Sequence, residues 1–303
     1  MHAEPVDRTP HLTLGEGPTW DAVAQRLYWI GIPDRRVQWL EPATGLQGAR
    51  TLDTMPGTLA PYRDRQVVLA TARGFELLDT EADPEAADTD ADADPAPEQA
   101  RTTLVAPVET DRPDRRMNDG KCDPYGRLLA GTMQLEEPRR PGSLYRLEPD
   151  GTVLPVLDGL AIPNGLAWPE PDRLWYIDTP TRRIDLFAYP EHGPVGPLIR
   201  SLDVSHLPGW PDGMTLDADG NLWVAFWDGA AVHCLSPAGR LLATVELPVP
   251  RVTSCAFGGA DLDTLYVTTA SSPDAAASGL LFSVRGAGGG RPAQPWAGLA
   301  PGR

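Results

Sequence analysis

The 303-residue sequence lacks several features that define whole classes of proteins. It has no run of about 18 apolar residues, which a transmembrane helix would need, and residues 1–8 contain no apolar core of a signal peptide. Basic residues are scarce, since 26 Lys and Arg stand against 42 Asp and Glu and give a formal net charge of -16. Phosphate binding needs clustered positive charge. We therefore expect neither a membrane nor a nucleic acid as the partner.

Cysteine and histidine are also poorly represented. The three cysteines, Cys122, Cys234 and Cys255, are an odd number in a long chain, so we expect no disulfide framework and predict a reducing, cytoplasmic location. The five histidines are scattered, and none is paired at metal-ligand spacing. No Gly-x-Ser-x-Gly motif is present, so an α/β-hydrolase serine is not indicated.

Turn-forming residues, by contrast, are abundant. The chain contains 33 Pro and 30 Gly and no long stretch of helical periodicity, which favours many short strands joined by turns. The clearest unit spans 116–133. It contains the polar pair Asn118 and Asp119, a predicted strand at 120–123, a Pro/Gly turn at 123–126 and a second predicted strand at 128–132.

This strand–turn–strand unit recurs six times. The copies begin at Gly17, Gly57, Gly120, Gly165, Gly213 and Cys255, so they are 40 to 48 residues apart except for one interval of 63. Periods of about 40 to 50 residues with several strands per unit are typical of a β-propeller. The sequence thus predicts an all-β, six-bladed β-propeller. A pair of β-sandwiches is the alternative, although sandwiches do not require an internal repeat.

We divide the chain into three parts on composition. Residues 1–10 are expected to form a polar tail, residues 11–285 a single propeller domain, and residues 286–303 a loose C-terminal tail rich in Gly, Pro and Ala. The one long interval between copies contains an Asp/Ala/Pro/Glu tract at 81–100 with almost no apolar bulk. Such a tract cannot bury enough surface to order itself, so we predict a flexible, solvated insertion.

The residues just before the first strand of each copy are rich in oxygen ligands. They are Glu16, Pro56, Asp119, Asn164, Asp212 and Ser254. In a propeller, equivalent positions lie on one ring around the central channel, where carboxylates repel each other unless a cation neutralises them. Oxygen-rich sets suit hard cations such as Ca²⁺, Mg²⁺ or Mn²⁺. The alternative interpretation is turn chemistry, because Asn-Gly and Asp-Gly pairs are common turn signals.

Five motifs together resemble the gluconolactonase/regucalcin family, also called senescence marker protein, of six-bladed propeller lactonases. They are LGEGPTW at 14–20, RMNDGK at 116–121 with AGTM at 130–133, PNG at 163–165, PDGM at 211–214 and TSCAFGG at 253–259. The resemblance implies metal ligands at Glu16, Asn164 and Asp212, and substrate contacts at Arg116, Asn118 and Glu136. The sequence departs from the family at Gly31, where an aspartate is frequent, and in the acidic insertion.

The resemblance implies a metal-dependent hydrolase that opens sugar lactones. One divalent ion, Ca²⁺ or alternatively Zn²⁺, Mn²⁺, Mg²⁺ or Fe²⁺, would polarise the lactone carbonyl and stabilise the oxyanion formed when water attacks. Asp212 can hold the ion and also accept a proton from that water. The expected partner is a small sugar lactone, with no prediction of the oligomeric state.

Two alternatives to a lactonase remain open. One is a non-catalytic propeller that binds a cation or a partner protein. The other is a hydrolase of other esters or organophosphates, which the same ion could activate. For Arg116 alone, a surface salt bridge within 111–116 is an alternative to substrate binding, and Trp210 is expected to border the pocket.

Overall fold

The computed structural model describes residues 1–81, 99–136 and 141–298, and it arranges them in six antiparallel sheets of four strands each. The innermost strands of successive sheets contact each other in a closed ring. Each sheet is therefore one blade of a six-bladed β-propeller, as predicted, and a pair of sandwiches is excluded. No helix in these ranges is long and apolar enough to cross a membrane.

Within each blade the strands follow one another from the central channel outward, and they are labelled here in chain order. Blade 1 contains β2 (Gly15–Asp21), β3 (Arg26–Gly31), β4 (Arg36–Glu41) and β5 (Leu46–Thr51). Blade 2 contains β6 (Pro56–Pro61), β7 (Gln66–Thr71), β8 (Gly74–Asp79) and β9 (Thr102–Pro107). Blade 3 contains β10 (Arg115–Cys122), β11 (Leu128–Gln134), β12 (Gly142–Leu147) and β13 (Val153–Leu160).

The second half of the ring repeats this order. Blade 4 contains β14 (Pro163–Ala167), β15 (Arg173–Asp178), β16 (Arg183–Ala188) and β17 (Leu198–Asp203), with a single 3-10 turn at Thr179–Thr181. Blade 5 contains β18 (Trp210–Leu216), β19 (Leu222–Trp227), β20 (Ala231–Leu235) and β21 (Leu241–Glu246). Blade 6 contains β22 (Val252–Gly258), β23 (Thr264–Thr269), β24 (Phe282–Arg285) and β1 (Ala3–Pro5).

The N-terminal strand closes the ring. It is the outermost strand of blade 6 and pairs antiparallel with β24, placing Ala3 opposite Val284. The sequence analysis expected a polar tail at 1–10, and the structure corrects this boundary. A three-residue strand is too short to carry a periodic hydrophobic signal, and its partner is almost 280 residues away in sequence.

The hydrophobic core lies between the blades, with one cluster at each of the six junctions. Between blades 1 and 2, for example, Tyr28 and Ile30 pack with Leu59 and Leu69. Because each blade buries both faces, its second strand is apolar almost throughout. Every blade thus shares its buried core with two neighbours.

The innermost strands all run in one direction, which gives the channel two different ends. We call the end where these strands begin the mouth, and the end where they finish the rear. Residues 289–298 cross the rear, although a loose tail was expected there. The segment is held by hydrogen bonds from Gly290 N–H to Leu262 O at 2.8 Å, Arg291 to Pro169 O at 3.1 Å and Trp296 N–H to Pro61 O at 2.9 Å. Trp296 is buried in the core between blades 2 and 3.

The acidic insertion predicted at 81–100 falls largely on 82–98, outside the described residues. Its two ends are described, and they join β8 to β9 on the rear side of blade 2. The Glu81 carboxylate pairs with Arg26 at 3.1 Å and with Arg65, and the Ala100 N–H donates to Thr51 O at 2.8 Å. The insertion therefore starts on the rear side of blade 2, and its far end lies against the last residue of β5 in blade 1.

The three cysteines are free and buried. Cys122 lies at the end of β10 and Cys255 within β22. Burial raises the pKa of the Cys255 thiol to about 12. A thiol held neutral in this way packs as a small apolar group and is a poor nucleophile.

Candidate active site

A β-bulge lies near the start of every innermost strand. Register shifts fall between Glu16 and Thr19, Pro56 and Thr58, Met117 and Gly120, Pro163 and Leu166, Pro211 and Met214, and Val252 and Ser254. In blades 3, 4 and 5 two residues oppose one across the bulge: Asn118 and Asp119, Asn164 and Gly165, and Asp212 and Gly213. A bulge breaks the alternation of side chains and re-aims them.

The polar residues of the ring therefore lie inside the innermost strands. They were predicted just before those strands, with the strand of blade 3 starting at Gly120, whereas β10 begins at Arg115. The Asn-Gly and Asp-Gly pairs likewise belong to strands, so the turn interpretation of these pairs is wrong. Pattern reasoning missed the bulges because they interrupt the period of two on which strand prediction depends.

The glycines of these pairs allow neighbouring blades to approach closely. A Cβ on Gly165 would lie 2.9 Å from Asp212 O in the next blade, and one on Gly213 would lie 2.1 Å from Ser254 Oγ. A Cβ on Gly57 would lie 2.4 Å from Met117 O. Only a residue without a side chain fits at these contacts. Gly165 and Gly213 thus allow blade 4 to approach blade 5, and blade 5 to approach blade 6, at the level of the ring.

Three of the predicted site residues, Arg116, Asn118 and Asn164, belong to one partly buried hydrogen-bonded series. Arg116 Nη1 donates to Asn118 Oδ1 at 2.6 Å, and Asn118 Nδ2 donates to Asn164 Oδ1 at 3.1 Å. Asn164 Nδ2 donates to Thr179 Oγ1 at 2.7 Å, and Thr179 Oγ1 donates to Pro211 O, next to Asp212, at 2.8 Å. The series joins blades 3, 4 and 5. Arg116 thereby bonds to a residue of the ring, which favours a place in the candidate site over a surface salt bridge within 111–116.

The carboxylates of the ring repel each other. Glu16, Asp119 and Asp212 are all buried. Burial, and then repulsion from Asp119, raises the pKa of Glu16 to about 8. Burial, followed by repulsion from Glu16 and Asp119, holds the pKa of Asp212 well above its ordinary range. Asp212 Oδ1 is buried without a hydrogen-bond partner. Ionisation of these carboxylates together is therefore unfavourable, and a bound cation would offset their mutual repulsion.

Two basic side chains flank the carboxylates. Burial lowers the pKa of Arg116 to about 10, opposed by the nearby Glu16 and Asp212 carboxylates. Lys121 Nζ donates to Met214 O at 2.7 Å, from blade 3 across the channel to blade 5. Burial lowers the pKa of Lys121, opposed mainly by Asp119. Lys121 thus forms the floor of the site on the rear side.

The donor set fits a hard cation held partly by an amide. Among the described residues, no group of three or more His, Cys, Asp and Glu side chains could hold a metal ion. A cation here would therefore use the Asn164 amide oxygen beside the carboxylates of Glu16 and Asp212, with water completing its shell. The unpartnered Asp212 Oδ1 and the mutual repulsion of the carboxylates both fit such an ion.

The sequence matches the family described as SMP-30/Gluconolactonase/LRE-like region over residues 14–271. The chain belongs to this family. It is 35% identical over 294 residues to the pentonolactonase XacC of Haloferax volcanii, covering 92% of this chain and 93% of that one. It is 36% identical over 266 residues to the regucalcin of Gallus gallus, covering 85% of this chain and 83% of that one.

A solved structure extends the likeness to three dimensions. The calcium-binding protein regucalcin from Agrobacterium tumefaciens superposes with a TM-score of 0.84 at 29% identity, covering 96% of each chain. The resemblance read from the five motifs is therefore confirmed, as is the fold that it implied.

Three further features border the mouth. Glu136 is exposed and lies two residues beyond the end of β11, so the structure places it on the mouth side of blade 3 but not in the hydrogen-bonded series. Trp210 begins β18, is 40% exposed and lies 4.9 Å from the Arg182 guanidinium, bordering the mouth as predicted. At Gly31, a Cβ would lie 2.9 Å from Leu12 Cδ2 and 3.0 Å from Asp34 Oδ2, so a larger residue there would require these two side chains to shift.

Sequence reasoning missed two members of the site and undervalued a third. Asp119 was placed on the ring but given no role, and Lys121 was named only as the end of the motif at 116–121. Thr179 was not singled out, because its partners come from the start of its own blade and from the next blade. In the sequence, Thr179 could have been singled out only by its position directly after the predicted second strand of blade 4.

Proposed function

We propose that the protein is a metal-dependent hydrolase that opens sugar lactones by attack of water. The observation that carries the proposal is the buried, mutually repelling set of Glu16, Asp119 and Asp212, with the unpartnered Asp212 Oδ1, beside the donors Arg116 and Asn118. A lactonase among the relatives supports the choice of substrate class.

Glu16, Asn164 and Asp212 would hold one divalent cation. Oxygen ligands of this kind suit Ca²⁺ best, and Zn²⁺, Mn²⁺, Mg²⁺ and Fe²⁺ are alternatives. A calcium-binding regucalcin of similar structure supports this choice. When bound, the ion supplies a Lewis acid that polarises the lactone carbonyl.

The chain's own residues would bind the lactone and move the proton. A guanidinium has five N–H donors, and the described hydrogen bonds of Arg116 use only Nη1. Arg116 and Asn118 would orient substrate oxygens at the mouth, and Glu136 would contact the outer part of the sugar. These contacts fix the carbonyl carbon before the reaction begins.

Asp212 would serve as the general base. As the water oxygen bonds to the carbonyl carbon, one water proton passes to the Asp212 carboxylate. The C–O bond of the ring then breaks, and the same proton is returned to the departing ring oxygen, which yields the hydroxy acid. A carboxylate whose pKa is raised by burial is a stronger base than one in water.

The experiment is a panel of five- and six-carbon aldonolactones, assayed with a pH indicator in the presence of Ca²⁺. We expect the wild type to hydrolyse at least one lactone and Asp212→Asn to lose at least about a hundredfold in turnover. The matched control is Asp261→Asn, which changes an exposed carboxylate in a rear turn and should have no effect.

The calcium-binding relative also favours a second candidate, a propeller that binds a cation without catalysis. In that case the wild type would bind Ca²⁺ in a calorimeter but hydrolyse no lactone. If the protein hydrolyses only other esters or organophosphates, it is a metal-dependent hydrolase with a different substrate class.

A further inference from the structure

Thr179 lies directly after β15, at the mouth, in the 3-10 turn Thr179–Thr181. Its hydroxyl group stands between two residues of the candidate metal site. It accepts a hydrogen bond from Asn164 Nδ2 at 2.7 Å and donates one to Pro211 O at 2.8 Å. Pro211 immediately precedes Asp212 in β18. One hydroxyl group therefore contacts the Asn164 side chain and the backbone leading to Asp212.

The two ends of this hydrogen-bonded series fix the orientation of both asparagine amides. A backbone carbonyl can only accept, so the Thr179 proton points to Pro211 O and the hydroxyl oxygen must accept from Asn164. The Asn164 group facing Thr179 is therefore its NH₂. At the other end, Arg116 can only donate, so Asn118 turns its oxygen to Arg116 and its NH₂ to Asn164. Both constraints turn Asn164 Oδ1 away from Thr179 and toward Asn118 Nδ2.

The rest of the turn holds the flanking segments in place. The Asp178 carboxylate accepts from the N–H groups of Ala161 at 3.0 Å and Ile162 at 2.8 Å, just before Asn164. The Arg182 guanidinium donates to Leu207 O and Gly209 O, each at 2.9 Å, just before β18. The turn therefore fixes the entry to the innermost strands of blades 4 and 5 together.

We propose that Thr179 is a positioning residue that locks the Asn164 amide with its oxygen toward the cation. The inference deepens the proposed function and rests on it for the role of Asn164 as a ligand. Without the hydroxyl group, Asn164 Nδ2 loses its acceptor, and only the hydrogen bond from Asn118 Nδ2 still opposes rotation of the amide. The amide should then present its nitrogen, which does not bind a hard cation, for a larger fraction of the time.

The test compares Thr179→Val, which keeps the shape and removes the hydroxyl group, with Thr179→Ser, which keeps the hydroxyl group. Loss of one hydrogen bond should weaken Ca²⁺ binding by roughly 2- to 12-fold in Thr179→Val, measured by titration calorimetry. Thr179→Ser should bind as the wild type does. Thr181→Val is the matched control, because the described hydrogen bonds of Thr181 Oγ1 go to the neighbouring backbone and not to the candidate site: it donates to Asp178 O at 2.7 Å and accepts from the Arg183 N–H at 3.3 Å. It should also bind as the wild type does.

A double-mutant cycle distinguishes a change in the orientation of the Asn164 amide from a general disruption of the site by the Thr179 substitution. In Asn164→Asp both terminal atoms are oxygen, so rotation no longer matters, and adding Thr179→Val should change the Ca²⁺ affinity less than it does in the wild type. Thr179→Ala replaces Thr179→Val throughout if the latter does not fold.

A second readout needs no metal. The side-chain NH₂ signals of Asn164, assigned by their loss in Asn164→Asp, should exchange slowly with water in the wild type and Thr179→Ser and faster in Thr179→Val. Unchanged exchange would overturn the inference, as would wild-type Ca²⁺ affinity in Thr179→Val. Absence of cation binding in the wild type, with the exchange difference intact, would contradict the metal site and leave the locking role of Thr179 supported.

Discussion

Replacing Gly165 by alanine perturbs the candidate site without removing any functional group. The added Cβ would lie 2.7 Å from Met214 Cγ, 2.9 Å from Asp212 O and 3.0 Å from Ile177 Cδ1. Carbon and oxygen atoms in contact normally keep about 3.4 Å or more, so the backbone at Asp212 has to move by about 0.5 Å. Forcing one methyl group into a packed interior costs about 1–3 kcal/mol.

The same displacement of the Asp212 backbone should also lower the rate of lactone hydrolysis. Because a shift of about 1 Å in a reacting group costs on the order of a hundredfold, half that shift should lower lactone turnover by about tenfold. Gly289→Ala is the matched control, since no atom lies within 4 Å of its added Cβ.

The assays are urea unfolding, lactone turnover and Ca²⁺ titration for the wild type and both variants. Gly165→Ala should unfold at lower urea, turn over substrate more slowly and bind Ca²⁺ more weakly, while Gly289→Ala matches the wild type. A Gly165→Ala protein with wild-type stability and turnover would refute the close approach of blades 4 and 5 as the reason for glycine here.

Three further predictions concern charge, closure and substrate. Because the pKa of Glu16 is raised from 4.5 to about 8 in the fold, the metal-free native protein keeps a proton that the unfolded chain releases, so its stability should fall as the pH rises from about 4.5 to about 8. Calcium should therefore raise the melting temperature more at about pH 8 than at about pH 5.5, and an equal rise at both would contradict the burial of this charge. Ala3→Asp, which puts a carboxylate into the core against blade 5, should lower the melting temperature by several degrees, whereas a change at the exposed Glu4 should not. Asn118→Ala should keep its metal by elemental analysis yet lose roughly tenfold to a thousandfold in turnover, and a variant that loses its metal would make Asn118 a ligand.

The repeat and the site composition could be predicted from the sequence, because both depend on local patterns. A unit that recurs about every 45 residues with several strands indicates a propeller before any contact is known. Glu16, Asn164 and Asp212 occupy equivalent places in that unit, so ring closure alone brings them near each other. The resemblance then singled out these three from the six ring positions that the repeat gives.

Features that depend on distant contacts could not be predicted in this way. Residues 3–5 form a strand only because β24 offers its edge, and 289–298 is ordered because Trp296 reaches the core between two other blades. The bulges that re-aim Asn118 and Asp212 break the alternation used to find strands. Thr179 belongs to no recognisable sequence motif, and its role can be inferred only from its hydrogen bonds to Asn164 and Pro211.

The most direct test of the account is whether lactone hydrolysis depends on one divalent cation at Glu16, Asn164 and Asp212. The wild-type protein is exhaustively chelated, shown to be metal-free by elemental analysis, assayed, and assayed again after titration with Ca²⁺ and with Mn²⁺, Mg²⁺, Zn²⁺ and Fe²⁺ in turn. We predict that turnover stops on chelation, returns at one equivalent of bound cation, and does not return in Asp212→Ala or Glu16→Ala, while Asn164→Ala regains weak activity at high cation concentration. Full hydrolysis by the metal-free wild type would contradict the central claim.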